Sequence, residues 1–201
     1  MLLRHSHTSP YVRKVVVMLH ETGLSERVRE ETVDGWAEPD FLTADNPLSM
    51  VPTLVLDDGR SLYDSPVICE YLDSLHDGPR MIPASGEPRW QVLTEQALAD
   101  GALDCAILIM MEQVKRPAAL RWHWWVELKQ RAILRSLDHW EGQAAGYADR
   151  VDLGVIAIAS ALGYLDLRRG VGEWRDGRPV LADWFATFSR RPSMIASAPP
   201  A

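Results

Sequence analysis

Cysteine is nearly absent. Cys69 and Cys105 are the only two in 201 residues, far apart and outside any C-x-x-C pattern. That argues against a disulfide-stapled scaffold and a dithiol redox pair, and fits small buried thiols in a reduced cytoplasmic protein. Long apolar runs are missing too. The most apolar stretch, 153–165, is about 13 residues, too short for a bilayer and suited to a buried helix. No secretory leader is visible, because Met1-Leu2-Leu3 meets Arg4 and His5 before an apolar segment forms. The six histidines show no metal-ligand spacing, and His5 and His7 have no third ligand at a familiar interval. Positive charge is in deficit. A net charge of −7 argues against nucleic acid or an anionic membrane as partner. What is left, 47% hydrophobic and 24% charged, is an ordinary soluble composition for one large domain or two small ones.

The informative stretch is Thr8-Ser9-Pro10-Tyr11-Val12-Arg13-Lys14. Leu2 to His5 reads as a short strand, and Ser9 as the cap of a helix whose first residue is Pro10. Val12, Val15, Val16 and Leu19 then recur at the spacing of one buried helical face, which runs to about Glu21, with Gly23 as the stop. A hydroxyl at a helix N-terminus favours an anion.

Arg27 to Val33 reads as a second strand, and Trp36 to Leu42 as a short helix or a loop. Pro52 stands directly before an apolar strand-like run, where it cannot donate to a ladder. A cis bond there would turn the chain sharply and leave the Val51 backbone to pair with something extended; a trans bond would make an ordinary strand start. Asp57-Asp58-Gly59 is a hairpin turn signal, with Arg60 to Tyr63 returning. Asp64-Ser65-Pro66 repeats the opening logic, with Ser65 as cap and Pro66 first in the helix. A ligand with a carboxylate and an ammonium would find donors at Ser65 and the helix amides and an acceptor at Asp64. Taken alone, an Asp-Ser pair before a helix is usually just capping.

Taken together, these segments resemble the thioredoxin-like N-terminal domain of the cytosolic glutathione transferases, of the bacterial, serine-type kind. The residues that carry the resemblance are 8–14, Asn46-Pro47-Leu48-Ser49-Met50-Val51-Pro52-Thr53-Leu54 and Tyr63-Asp64-Ser65-Pro66. It implies that Ser9 is the catalytic hydroxyl, donating a hydrogen bond to the glutathione sulfur so that the thiol, ordinarily near pKa ~8.5, ionises at neutral pH. It also implies a cis Val51–Pro52 bond, a Val51 backbone that pairs with the cysteinyl unit, and Asp64 and Ser65 holding the γ-glutamyl ammonium and carboxylate. Many relatives have glycine and then lysine or glutamine where this chain has Ser49 and Met50. Methionine donates no hydrogen bond to the glycyl carboxylate.

Residues 77–88 are rich in proline and glycine and read as a linker. No strand pattern recurs beyond it. Trp90 to Met111 suggests a long helix loosened at Gly101, and Pro117 opens a second. Asp149-Arg150-Val151-Asp152 resembles a capping box ahead of the buried 153–165 helix, and Asp183 to Phe188 belongs to a last one. The expected architecture is therefore α/β, with a thioredoxin-like glutathione-binding domain at 1–76, the linker, and an all-helical second-substrate domain at 89–201. Candidates for that second site are Tyr11, Met111 and Trp122. The resemblance implies a cytoplasmic homodimer that conjugates glutathione, its co-substrate, to a small hydrophobic electrophile in detoxification, without metal, nucleic acid or membrane. The alternative is a non-catalytic module that keeps the fold for binding or dimerisation.

Overall fold

The computed structural model describes residues 1–37 and 39–200. They fall into two compact units, 1–84 with the chain from 190 onward, and 85–189.

In the first unit, β1 (Leu2–His5), α1 (Pro10–Glu21), β2 (Arg29–Thr32), α2 (Asp40–Asp45), β3 (Thr53–Val55), β4 (Ser61–Leu62) and α3 (Ser65–Asp73) follow in order. The sheet order is β2-β1-β3-β4, with β1 parallel to β2 and both remaining pairings antiparallel. The α1 face read from sequence is buried at Val12, Val15, Val16 and Leu19. Each such side chain contributes about 1.5–3 kcal/mol. Ser9 caps α1 and Pro10 is its first residue. The helix stops at Gly23, whose φ of +70° lets the Leu24 amide turn back to the Leu19 carbonyl at 2.8 Å. The stretch from Trp36 to Leu42 resolves into a 3-10 turn at Gly35–Ala37 and the start of α2; Glu38 within it lies outside the described residues.

The second unit is helical: α4 (Glu87–Met110), a π-helical turn at Met111–Lys115, α5 (His123–Gln143), α6 (Leu153–Arg168) and α7 (Pro179–Phe188). α6 is apolar all round and buried from Leu153 to Leu165, as such a helix must be. α4 runs unbroken through Gly101 and changes its winding only at Met111, so the expected loosening lies ten residues later. Pro117 opens only a 3-10 turn at Ala118–Leu120, and α5 begins at His123. The α6 cap is Asp152 rather than Asp149, its carboxylate accepting the Val155 amide at 3.2 Å. Arg150 donates through Nε to Asp152 at 2.8 Å and through its two terminal guanidinium nitrogens to the buried Glu95, at 2.9 and 2.5 Å. A Cβ at Gly154 would collide with the Glu95 carboxylate, so this close approach requires glycine.

Two side chains explain why the unit boundaries differ from 76/77 and 88/89. Asp73, at the end of α3, accepts the amides of Met81 at 2.7 Å and Ile82 at 3.2 Å, drawing the start of the proline-rich stretch into the first unit. Glu21, at the end of α1, accepts from Arg191 at 2.8 Å and Ser193 at 2.5 Å, tying a final helix, α8 (Pro192–Ala196), back to α1. The Arg191 hydrogen bond holds the Glu21 carboxyl below its usual range. Among the described residues no helix is long and apolar enough to cross a membrane, and no group of His, Cys, Asp or Glu could hold a metal ion.

Candidate active site

Strand register brings three distant segments to one edge of the sheet. Arg4 pairs with Thr53 across antiparallel β1 and β3, and Leu54 with Leu62 across β3 and β4. The end of β1, the start of β3 and the end of β4 therefore share an edge. From it lead the Ser9 turn, the Val51–Pro52 bond and the Tyr63-Asp64-Ser65 segment.

Ser9 is half-buried, and its hydroxyl oxygen accepts the Val12 amide at 3.3 Å. A capping hydroxyl still has its own proton to donate, and it sits at the positive end of a twelve-residue helix.

The Val51–Pro52 bond is cis. Among the described residues the Val51 backbone makes no hydrogen bond. The loop before it is tightly held. Buried Asn46 donates to the Met50 carbonyl at 3.2 Å and to the Thr53 hydroxyl at 3.0 Å, and Thr53 donates to the same carbonyl at 2.8 Å. Asn46 also accepts the Leu48 amide at 3.0 Å. The sequence marked this loop, but nothing in it singled out Asn46 and Thr53 as its fasteners. Ser49 takes φ +50°, the left-handed region that favours glycine, and its hydroxyl is buried without a partner among the described residues. The Met50 side chain is 61% exposed.

At α3 the cap position falls one residue earlier than the sequence suggests. Asp64 is the N-cap and makes no side-chain capping bond, while Ser65 is the first helical residue and Pro66 the second. The shift follows from the backbone: Asp64 is extended, yet its carbonyl already accepts the Ile68 amide at 3.1 Å. Ser65 is 2% exposed, and among the described residues its hydroxyl makes no hydrogen bond. The Ser65 and Val67 amides precede the first intrahelical bond, so this helix end offers uncapped donors beside the exposed Asp64 carboxylate. The Tyr63–Asp64 bond is also cis.

Of the second-substrate candidates, Tyr11 lies in the first turn of α1, in the first unit. Met111 and Trp122 lie in the second unit, at the π-helical turn and just before α5. These two are linked through Glu112, which accepts the Trp122 amide at 3.2 Å. A cavity of about 90 Å³ beside α1, lined by His5, His7, Arg13 and Ser197 among others, includes none of the candidate residues. Neither cysteine stands in a site position, and burial pushes the Cys105 thiol above its ordinary pKa.

Comparison with known proteins gives the family. Residues 8–75 match the family described as "Glutathione S-transferase, N-terminal domain". The chain is 35% identical to the uncharacterized GST-like protein YibF of Escherichia coli K12, over 100% of this chain and 99% of that one. A glutathione transferase family member from Pseudomonas fluorescens Pf-5, crystallised with bound glutathione, is 43% identical with a TM-score of 0.96, covering 100% of this chain and 99% of its own. A second crystal structure of a family member from that strain, 42% identical with a TM-score of 0.92 and 100% of both chains covered, holds S-(propanoic acid)-glutathione. A glutathione S-transferase from Methylobacillus flagellatus KT with glutathione bound is 33% identical, TM-score 0.88, over 99% of each chain. The chain belongs to the glutathione transferase family.

Proposed function

We propose that this chain is a homodimeric cytoplasmic glutathione transferase that ionises the glutathione thiol and adds it to a small hydrophobic electrophile, a detoxification chemistry. The Ser9 hydroxyl donates a hydrogen bond to the sulfur as the thiol releases its proton to water, and the N-terminus of α1 adds its positive potential. One pKa unit corresponds to about 1.4 kcal/mol, the size of one charge-assisted hydrogen bond. The Val51 backbone, next to Pro52, pairs with the cysteinyl unit. Asp64 takes the γ-glutamyl ammonium; the Ser65 hydroxyl and the first-turn amides of α3 take its carboxylate. Met111 and Trp122, both in the second unit, contribute to the electrophile's site. The observation that supports this reading most is the convergence, on one sheet edge, of a capping hydroxyl, an unpaired backbone at a cis proline and an uncapped helix start beside a carboxylate. The glutathione held by the similar Pseudomonas and Methylobacillus proteins supports it further.

Met50 favours a second reading, a non-catalytic module of the same fold. Its exposed thioether offers no donor to a glycyl carboxylate. Titration calorimetry with glutathione separates the two. The transferase reading expects saturable heat, and none at millimolar ligand overturns it. Turnover of a chloronitroaromatic by the same preparation then tests the chemistry.

A further inference from the structure

We propose that the turn ahead of α5 carries a preformed platform for a flat aromatic acid, built from Trp122, Trp124 and Trp125. The Trp122 ring stacks on Trp125 at 5.8 Å between centroids and 13° between planes, and lies 5.1 Å from Trp124. The Lys129 ammonium sits 4.1 Å over the Trp125 ring. Trp125 thus already has partners, whereas Trp122 and Trp124 remain 57% and 52% exposed. Indole surface open to water gains by stacking on another π face.

The platform is fixed before any ligand arrives. The π-helical turn at Met111–Lys115 buries Glu112, whose carboxylate accepts Arg116 Nε at 2.8 Å and the Trp122 amide at 3.2 Å. Trp122 is also the cap residue of α5, so one carboxylate sets both the loop and the ring's point of departure. A π-helical turn at such a place is often tied to function.

Charge selects the class of ligand. The chain carries −7 overall, yet between positions 112 and 131 basic residues outnumber acidic ones five to two. Glu112 and Glu127 are each engaged by an arginine, at 2.8 and 3.9 Å. Arg121, beside Trp122, has no acidic partner among the described residues; its Nε donates only to the Arg116 carbonyl at 3.3 Å. An exposed indole that directly follows in the chain an arginine with no acidic partner among the described residues fits a planar aromatic ring bearing a carboxylate or sulfonate. The inference deepens the second-substrate role proposed for Met111 and Trp122, and rests on it only for the idea that the acid goes on to react.

Calorimetry on the full-length protein with 2-naphthoate tests it, against 2-naphthalenemethanol (same ring, no charge) and decalin-2-carboxylate (same charge, no flat ring). The expected order is 2-naphthoate tightest, with Trp122→Ala weakening it about tenfold and Trp122→Phe restoring part of the loss. Arg121→Gln should erase the preference for naphthoate over the neutral alcohol. Trp90→Ala removes an exposed tryptophan near the start of α4, about 30 Å away along that helix, and should change nothing. Equal affinity for the saturated acid overturns the proposal, as does naphthoate binding that survives Trp122→Ala. If Trp122→Ala lowers the sedimenting mass and leaves naphthoate binding intact, the surface is an interface between copies and the proposal fails. Glutathione titrated into the same samples keeps the two claims apart. Naphthoate binding without glutathione binding defeats the transferase reading alone; the reverse defeats the platform alone.

Discussion

The two helices that start at the candidate site begin with nearly the same words, Ser9-Pro10 and Ser65-Pro66, yet they are built differently. In α1 the serine stands outside the helix, proline is the first residue, and the hydroxyl accepts the Val12 amide at 3.3 Å. In α3 the register slips by one: Asp64 stands outside without capping, and serine is already helical. One serine is engaged by its own helix as an acceptor and still has its proton to donate. The other is uncommitted and lies among uncapped amides. The first arrangement suits a ligand atom that must gain negative charge, the second a group that already carries it. On the proposed reading the same dipeptide would serve two chemistries, because the cap sits on different residues.

The sharpest way to break this comparison is to delete each hydroxyl and measure both ligand binding and folding. Ser65→Ala should weaken glutathione affinity most, by about 2 kcal/mol, or roughly thirtyfold, since a hydrogen bond to a charged group is lost. Its thermal midpoint should stay near that of the parent, because Ser65 caps nothing. Calorimetry and a melting curve on one sample check both. Asp64→Ala belongs to the same arm and should cost about tenfold in affinity, with the thiolate titration unmoved.

Ser9→Ala should behave in the opposite way. Affinity stays within a few-fold, while the pKa of bound glutathione, read from thiolate absorbance against pH, rises by about one unit, worth ~1.4 kcal/mol. The sign follows from the role: a donor to the sulfur stabilises the anion, so removing it moves ionisation to higher pH. Because Ser9 is also a cap, the variant should lose about 1 kcal/mol of stability. An unmoved titration together with that loss would reduce Ser9 to a cap.

The smallest effect is expected at the loop between the two helices. Ser49→Gly relieves a left-handed backbone and a buried hydroxyl without a partner, against the extra flexibility of glycine in the unfolded chain. A net gain of about 1 kcal/mol in denaturant unfolding is expected. Lost glutathione affinity in that variant would assign the Ser49 hydroxyl to the ligand instead.

Much of this was legible in the chain itself. Local rules were enough for the α1 start, because a serine followed by proline and a 3–4 apolar spacing depend only on neighbouring residues. The buried α6 was readable for the same reason, since an unbroken apolar run has no exposed face to offer. The order of strands and helices then carried the family resemblance, and with it the expectation of a cis bond at Pro52. What the chain could not show were pairings across long separations. Asn46 and Thr53 close on the Met50 carbonyl, and Glu21 retrieves a helix 170 residues later. Glu112 pins a tryptophan ten residues away around a π-helical turn that no periodicity announces. The one-residue slip at α3 belongs with these, because Asp64-Ser65-Pro66 permits either register as a string and only the backbone leaving β4 selects one. Sequence settled which residue types stand at the helix starts, through local sterics and capping. Tertiary structure settled what each is free to do, because that depends on which hydrogen bonds the fold has already taken.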